Sequence, residues 1–163
     1  MFCGIDLAGS EKNPTGICFL NEKIEIKTIF YYEEILEFVF HRKPKVVAID
    51  SPLSFHGKPF RDCDRELRKE FPILPLTFRA MMMLTKRGIS LKNKLSGFCV
   101  IEVYPHASKK YLKIQDEKDI GVEVKNIHEL DAIVCALTAK YFYEGKYRVY
   151  GKEDEIVVPK VYK

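Results

Sequence analysis

The spacing of apolar residues changes once near the start of the sequence, and that change restricts the fold more than any other feature. Three apolar segments, 2–8, 15–20 and 23–31, follow one another with short polar turns and predict an antiparallel meander of three strands. Residues 33–42 instead carry apolar side chains at helical spacing, and the apolar strand 45–50 follows. A strand, a helix and a strand in succession predict a right-handed crossover, which would pair the first and fourth strands in parallel.

The remainder of the sequence adds further strand and helix patterns around one long insertion, 53–97. Residues 98–104 predict a fifth strand, and Asn126 has the position of an N-cap that begins a long C-terminal helix. Residues 156–158 could add a late edge strand. The fold class that follows is α/β: a mixed five-stranded sheet of order 3-2-1-4-5, flanked by helices, in a single domain of residues 1–163.

The insertion is also where positive charge concentrates. The chain has 27 basic and 23 acidic side chains, and its net charge of +4 alone does not indicate a nucleic-acid partner. Residues 56–97, however, contain ten basic and four acidic side chains, a local net charge of +6. Helices are predicted there over 61–71 and 78–86, so the insertion is expected to be helical and basic.

Phosphate contacts are one explanation of this basic insertion. Arg61, Asp64 and Arg68 recur at helical spacing, and guanidinium groups on one helix face suit bidentate contacts with phosphate oxygens. Lys86 and Arg87 could add phosphate contacts from a helix end. A solvated surface helix, in which Asp64 pairs with one of the arginines, explains the same spacing without any substrate.

Carboxylates interrupt or end three apolar strands, and they are the main functional signal. Asp6 lies inside the first strand, Asp50 ends the fourth and Glu102 interrupts the fifth. A carboxylate in an apolar strand is unfavourable unless a partner satisfies it, and Asp131 near the start of the last helix could join the group. Because Mg²⁺ and Mn²⁺ prefer oxygen ligands, the four residues are predicted to bind such ions and to catalyse phosphodiester hydrolysis with them.

Each of these residues also has an ordinary structural explanation. Asp50 precedes Ser-Pro and could build an Asx turn, Glu102 could pair with a buried Lys or Arg, and Asp131 could compensate a helix dipole. Two histidines are candidates for roles beside the carboxylates. His106 could relay a proton or contact a phosphate, and His128, one turn before Asp131, could contact a metal ligand.

Six short motifs combine these features: GIDLAG at 4–9, AIDSPL at 48–53, RDCDRELR at 61–68, LTKRG at 84–88, IEVYPHA at 101–107 and HELDAIVCAL at 128–137. Together they resemble an uncharacterised family of predicted RNase H-like nucleases, within the ribonuclease H-like superfamily. The resemblance extends from residue 2 to about residue 151. It implies the ribonuclease H fold, acidic roles for Asp6, Asp50, Glu102 and Asp131, and roles in the insertion for Arg61, Asp64, Arg68, Lys86 and Arg87.

The sequence therefore predicts a metal-dependent nuclease that acts on nucleic acid, DNA or RNA. Two other functions would use the same residues: a non-catalytic module that binds nucleic acid or nucleotides, and a metal-dependent phosphohydrolase of a small molecule. The glycine-rich motifs of P-loop and dinucleotide-binding proteins and the serine hydrolase elbow are absent from the sequence.

Cysteine usage and hydropathy give an expected location. The five cysteines are widely spaced and form no CxxC pair, which is typical of free thiols in a reducing compartment. No apolar run approaches the roughly 18 residues of a membrane span, and no basic-then-apolar leader is present. We expect a cytoplasmic protein without a membrane partner, and no oligomeric state follows from the sequence.

Overall fold

Residues 1–161 are described by the computed structural model; residues 162–163, the end of the predicted domain 1–163, lie outside the described residues. The strands are β1 (Phe2–Asp6), β2 (Thr15–Leu20), β3 (Ile24–Ile29), β4 (Val47–Asp50), β5 (Val100–Val103), β6 (Tyr147–Tyr150) and β7 (Ile156–Pro159). The helices are α1 (Tyr32–Arg42), α2 (Asp62–Leu67), α3 (Arg79–Lys94), α4 (Pro105–Leu112) and α5 (Ile127–Tyr143), with a 3₁₀ turn at Glu117–Asp119.

One mixed sheet of order β3-β2-β1-β4-β5-β7-β6 contains all these strands. The α/β class and the order of the first five strands are confirmed, including the parallel pairing of β1 with β4. The predicted number of five strands is wrong, because within residues 1–161 the sheet has seven. The segment expected as a late edge strand, 156–158, lies inside the sheet between β5 and β6, and its buried residues suit that position.

The helices differ from the prediction mainly at their ends. Helix α2 is shorter than the predicted 61–71, and α3 extends beyond the predicted 78–86. Helix α4 was not predicted, because Pro105 was interpreted only as a strand terminator, whereas proline is also favoured in the first turn of a helix. Asn126 caps α5 as expected, since its side-chain oxygen accepts the N–H of Glu129 at 3.0 Å.

Helix α5 packs closely on one face of the sheet, against β1 and β2, and α1 covers the other face. Two glycines permit this close approach. A Cβ atom on Gly4 would lie 2.1 Å from the carbonyl oxygen of Ala132, and one on Gly16 would lie 2.0 Å from that of His128. The start of α5 is thereby held close to the end of β1. No helix within residues 1–161 is both long and apolar enough to cross a bilayer.

Candidate functional site

Asp6 and Asp50 are the last residues of neighbouring parallel strands, β1 and β4. The strand register pairs them directly with each other. Because side chains alternate between the faces of a sheet, both carboxyl groups lie on the face that α5 covers, as do Gly4 and Ala48. The topology that the sequence predicted therefore brings these two predicted site residues together.

These two carboxyl groups are electrostatically unfavourable neighbours. Burial raises the pKa of Asp50 well above its usual value, and the negative charges of Asp6 and Asp131 raise this pKa further. Burial also raises the pKa of Asp6, although a hydrogen bond from His128 opposes this effect. The Nδ1 atom of His128 lies 2.8 Å from Oδ2 of Asp6. A bound cation would relieve the repulsion within this group, as in other carboxylate cation sites.

Asp131 approaches the pair from α5, and Lys109 of α4 holds it there. The Nζ atom of Lys109 forms an ion pair with Oδ1 of Asp131. This oxygen is buried and Lys109 already supplies a cation to it, so a metal ion at this position would have to share the oxygen with Lys109 or displace Lys109. Lys109 was missed by the sequence analysis, since α4, the helix that carries it, was not recognised.

Glu102 lies on the opposite face of the sheet from Asp6 and Asp50. Its partner across the β4–β5 pairing is Ile49, whose side chain packs in the core on the α1 side. Its neighbour Val103 packs instead toward α5. Glu102 therefore lies on the other face of the sheet from the aspartates, although its negative charge also helps to raise the pKa of Asp50.

The partner of Glu102 is Arg61, and the two form a buried network with Asp64. The guanidinium nitrogens of Arg61 lie 2.8 and 2.7 Å from the two oxygens of Glu102. The same group donates two bonds of 2.9 Å to Asp64. One Glu102 oxygen also accepts the N–H of Leu53 at 2.8 Å, which ties the segment after β4 to this network. Burial raises the pKa of Glu102, and Arg61 opposes that effect.

Among the described residues, this network holds one group of three potential metal donors. Cys63, Asp64 and Glu102 each place one donor atom within 4.8 Å of the others. Because the guanidinium of Arg61 already binds both carboxylates, the protein supplies the cation here itself. The oxygens of the three aspartates are not all so close to one another in this conformation, in which Lys109 holds the third of them.

The residues predicted to hold substrate divide into a buried and an exposed set. The side chains of Arg61 and Asp64 are 1% and 4% exposed, so they are enclosed in the network just described. Arg68 is exposed, and its guanidinium lies 4.0 Å from the ring centroid of Phe60. Of these three residues, only Arg68 has an exposed side chain.

Lys86 and Arg87 lie beside the segment that follows β1. Arg87 is half-buried and donates a hydrogen bond of 2.6 Å to the carbonyl oxygen of Ala8, two residues after Asp6. Burial lowers its pKa, and no carboxylate among the described residues forms a salt bridge with it. Lys86 is exposed on the same helix and lines a surface depression with Arg87 and Ser10. These two cations therefore lie beside the loop that leaves the Asp6 end of β1.

The two predicted histidines differ in their placement. His128 contacts Asp6 directly, as described above. His106 is exposed, and its ring packs at 5.8 Å from the ring of Phe71 and 5.9 Å from that of Tyr104. Its described contacts are therefore with aromatic rings, and the structure does not bring it to a carboxylate.

A pocket of about 260 Å³ opens at the carboxyl ends of β4 and β5. Asp50 lies at its edge, and the buried Arg61 network forms part of its wall. Most of the remaining lining is apolar and includes Leu74, Leu76, Met81, Leu84 and Tyr104. This pocket was not predictable from the sequence, because its walls come from segments that are distant along the chain.

No protein-family model matches this chain, and no curated protein does. Solved structures that are similar to it include two of Thermus thermophilus RuvC. One is Thermus thermophilus RuvC in complex with a Holliday junction substrate, with 15% identity and a TM-score of 0.52 over 88% of this chain and 94% of that chain. The other is a Thermus thermophilus RuvC structure, with 14% identity and a TM-score of 0.51 over 88% of this chain and 95% of that chain. The chain therefore has the RNase H-like fold, which confirms the predicted fold class.

Proposed function

We propose that this protein is a metal-dependent nuclease whose cation is bound by Asp6, Asp50 and Asp131. The observation that carries the proposal is the direct pairing of Asp6 with Asp50 at the ends of adjacent parallel strands. Burial and mutual repulsion raise the pKa of Asp50, and a divalent cation would relieve this repulsion at neutral pH. Because all the donor atoms at this site are carboxylate oxygens, it favours Mg²⁺ or Mn²⁺ over softer metal ions.

Glu102 has a positioning role in this proposal rather than a ligand role. Arg61 occupies both of its oxygens, and one of them also accepts the N–H of Leu53. Because Leu53 follows Asp50 by three residues, this bond fixes the chain that leaves β4. Arg61 and Asp64 belong to the same support, which leaves substrate contacts to the exposed basic residues.

The chemistry divides between the cation and side chains of this chain. A bound divalent cation would supply an activated water and charge stabilisation for phosphodiester hydrolysis. His128 orients the carboxylate of Asp6, and Lys109 brings a positive charge to Asp131, where it can contact a phosphate oxygen. Lys86 and Arg87 extend the positive surface along the segment after β1.

Nucleic acid is the proposed substrate because positive charge concentrates in the insertion that follows β4, the strand that ends at Asp50. The local net charge of +6 in residues 56–97 contrasts with +4 for the whole chain. The similar RuvC structure is a complex with a Holliday junction, and the sequence motifs resemble predicted RNase H-like nucleases. Both resemblances favour a nucleic acid over other phosphate esters.

We also propose a cytoplasmic location for the protein. All five cysteines are free, and Cys99 is exposed, which suits a reducing compartment.

Cleavage of a substrate panel tests this function. Labelled single-stranded, duplex, hybrid and branched nucleic acids are incubated with Mn²⁺ or with chelator. We expect metal-dependent cleavage that disappears in Asp6→Asn, because the substitution removes a cation ligand and keeps the side-chain shape. Glu37→Gln is the matched control, since Glu37 is exposed on α1 and should leave cleavage unchanged.

Other outcomes of the same assay distinguish the remaining functions. Cleavage by Asp6→Asn at the rate of the unmodified protein would contradict the assignment of the site. Salt-dependent binding without cleavage of any panel member would favour the non-catalytic module. Hydrolysis of mononucleotides without cleavage of any polymer would favour the small-molecule phosphohydrolase.

A further inference from the structure

The pocket beside Asp50 has an unusual combination of charge and shape for a site next to carboxylates. Its volume is about 260 Å³, just below the roughly 300–1,000 Å³ that ligand pockets enclose. Leu76 is buried in its wall, and Leu84, Met81 and Tyr104 are partly buried there. A pocket of this size and lining suits a compact apolar group rather than a chain of nucleotides.

The charged groups in the pocket wall do not suit a phosphate. Arg61 is the only basic residue among the described lining residues, and its guanidinium is already bound to Glu102 and Asp64. An anionic group would meet no free cation and would lie beside the carboxylates of Asp50, Asp64 and Glu102, which would repel it. The phosphate of a substrate would therefore bind at the aspartates, and an uncharged part of the same molecule would enter the pocket.

We propose that this pocket binds the nucleobase of the nucleotide whose phosphate lies at Asp6 and Asp50. The inference rests on the proposed function for the phosphate end and adds the recognition of the base. A nucleobase is planar, is uncharged at neutral pH and stacks on apolar and aromatic side chains, which Met81 and Tyr104 provide here. The pocket wall offers few unpaired polar groups, so the site accepts different bases.

The base can come from two sources with the same chemistry. In a polymer, the nucleotide must be unstacked, which requires little energy in a single strand or at a branch and more in a regular duplex. In a free mononucleotide, no unstacking is required. If the base belongs to a polymer, the protein is a nuclease that prefers unpaired substrates. If the base belongs to a free mononucleotide, the protein is a small-molecule phosphohydrolase.

Methionine-methyl NMR provides a direct test, because neighbouring methionines lie inside and outside the pocket. Met81 lines the pocket, whereas Met82 and Met83 are exposed and do not line it. The protein with ¹³C-methyl methionine is titrated, with Mg²⁺ present, with nucleoside monophosphates, with a single-stranded tetranucleotide and with ribose 5-phosphate. We expect a saturable shift of the Met81 signal with the nucleoside monophosphates and with the tetranucleotide. We expect no shift with ribose 5-phosphate, which lacks a base. The Met82 signal should not move.

A pair of variants complements the titration. Met81→Trp fills the pocket, and we expect nucleotide or tetranucleotide affinity to fall about tenfold, since stacking of one base is lost. Met82→Trp adds the same side chain one position away on the surface of α3, and affinity should stay within about twofold of the unmodified protein.

The outcomes separate this inference from the proposed function. Metal-dependent cleavage without any Met81 response would overturn the base pocket and leave the nuclease. A Met81 response without cleavage would support the pocket and count against the nuclease. An equal response to ribose 5-phosphate would overturn the pocket, because that ligand carries no base. A response to the tetranucleotide alone identifies the polymer as the source of the base, and a response to mononucleotides alone identifies the free nucleotide.

Discussion

Replacement of Arg61 by methionine should destabilise the protein strongly and in a pH-dependent way. Arg61 is buried and is hydrogen-bonded to both oxygens of Glu102 and both oxygens of Asp64. Methionine fills similar space without charge, so Arg61→Met leaves two buried carboxylates with no cation. Removal of one partner from a buried ion pair typically destabilises a protein by about 3–5 kcal/mol. We expect a loss in this range at pH 8.

The expected pH dependence follows from Glu102. Burial already raises its pKa in the folded protein, and Arg61 opposes this effect, so the pKa rises further in the variant. A carboxyl group whose pKa is raised by folding binds protons more tightly in the folded state. Its contribution to the unfolding free energy therefore increases as the pH falls through the folded-state pKa. The destabilisation should be smaller at pH 5 than at pH 8, by about 1 kcal/mol or more.

Urea denaturation at pH 5 and pH 8 measures both quantities. Arg68→Met is the matched control. Arg61 directly precedes α2 and Arg68 directly follows it, but Arg68 is exposed and packs on Phe60. This control should lose less than about 1 kcal/mol at either pH. A loss below about 1 kcal/mol for Arg61→Met at pH 8, or an equal loss at both pH values, would refute the argument.

Three further predictions concern the aspartates and the packing of α5. Asp50→Asn should abolish cleavage, and without metal it should raise the free energy of unfolding at pH 8, because it removes a buried carboxyl group whose pKa is raised by burial and repulsion. This gain in stability should shrink as the pH falls toward 4, where the carboxyl group of the unmodified protein is protonated. Urea titrations at pH 8 and pH 4 measure the difference. Lys109→Gln should increase Mn²⁺ affinity in calorimetry, since it frees Asp131 from a competing cation, and unchanged or weaker affinity would contradict that role. Gly16→Ala should lower the free energy of unfolding by about 1–3 kcal/mol in thermal or urea denaturation, because the added Cβ would lie 2.0 Å from the carbonyl oxygen of His128. Unchanged stability would contradict this prediction, since it would show that α5 can move away from the sheet without loss of stability.

The part of the fold that the sequence predicted depends on connections between successive elements. The change from strand to helical spacing and the handedness of the crossover suffice to place β1 beside β4, and with it Asp6 beside Asp50. No comparable connection rule predicts the positions of the last two strands, β6 and β7. Strand β6 was not predicted, although Tyr147, Val149 and Tyr150 are residue types that strands favour, because four residues are too few for a period-2 pattern to be recognised.

The prediction for the site diverged from the structure at Glu102 because register is a tertiary property. Period-2 alternation specifies that Glu102 and Val103 point to opposite faces, but the sequence does not specify which residue of β4 lies opposite each of them. The pairing of Ile49 with Glu102 sends the carboxylate to the α1 side. There it meets Arg61, 41 positions away along the chain, a pairing that helical spacing alone does not reveal.

The close approach of α5 to the sheet also determines how the protein would respond to random mutation. Any side chain at Gly4 or Gly16 would collide with the helix backbone that carries His128 and Asp131. A screen for inactive variants would thus recover these glycines together with the acidic residues, although neither glycine contacts a substrate. Scoring each variant for both stability and cleavage would separate the two groups, because we expect charge-neutralised aspartate variants to keep their stability and glycine variants to lose part of it.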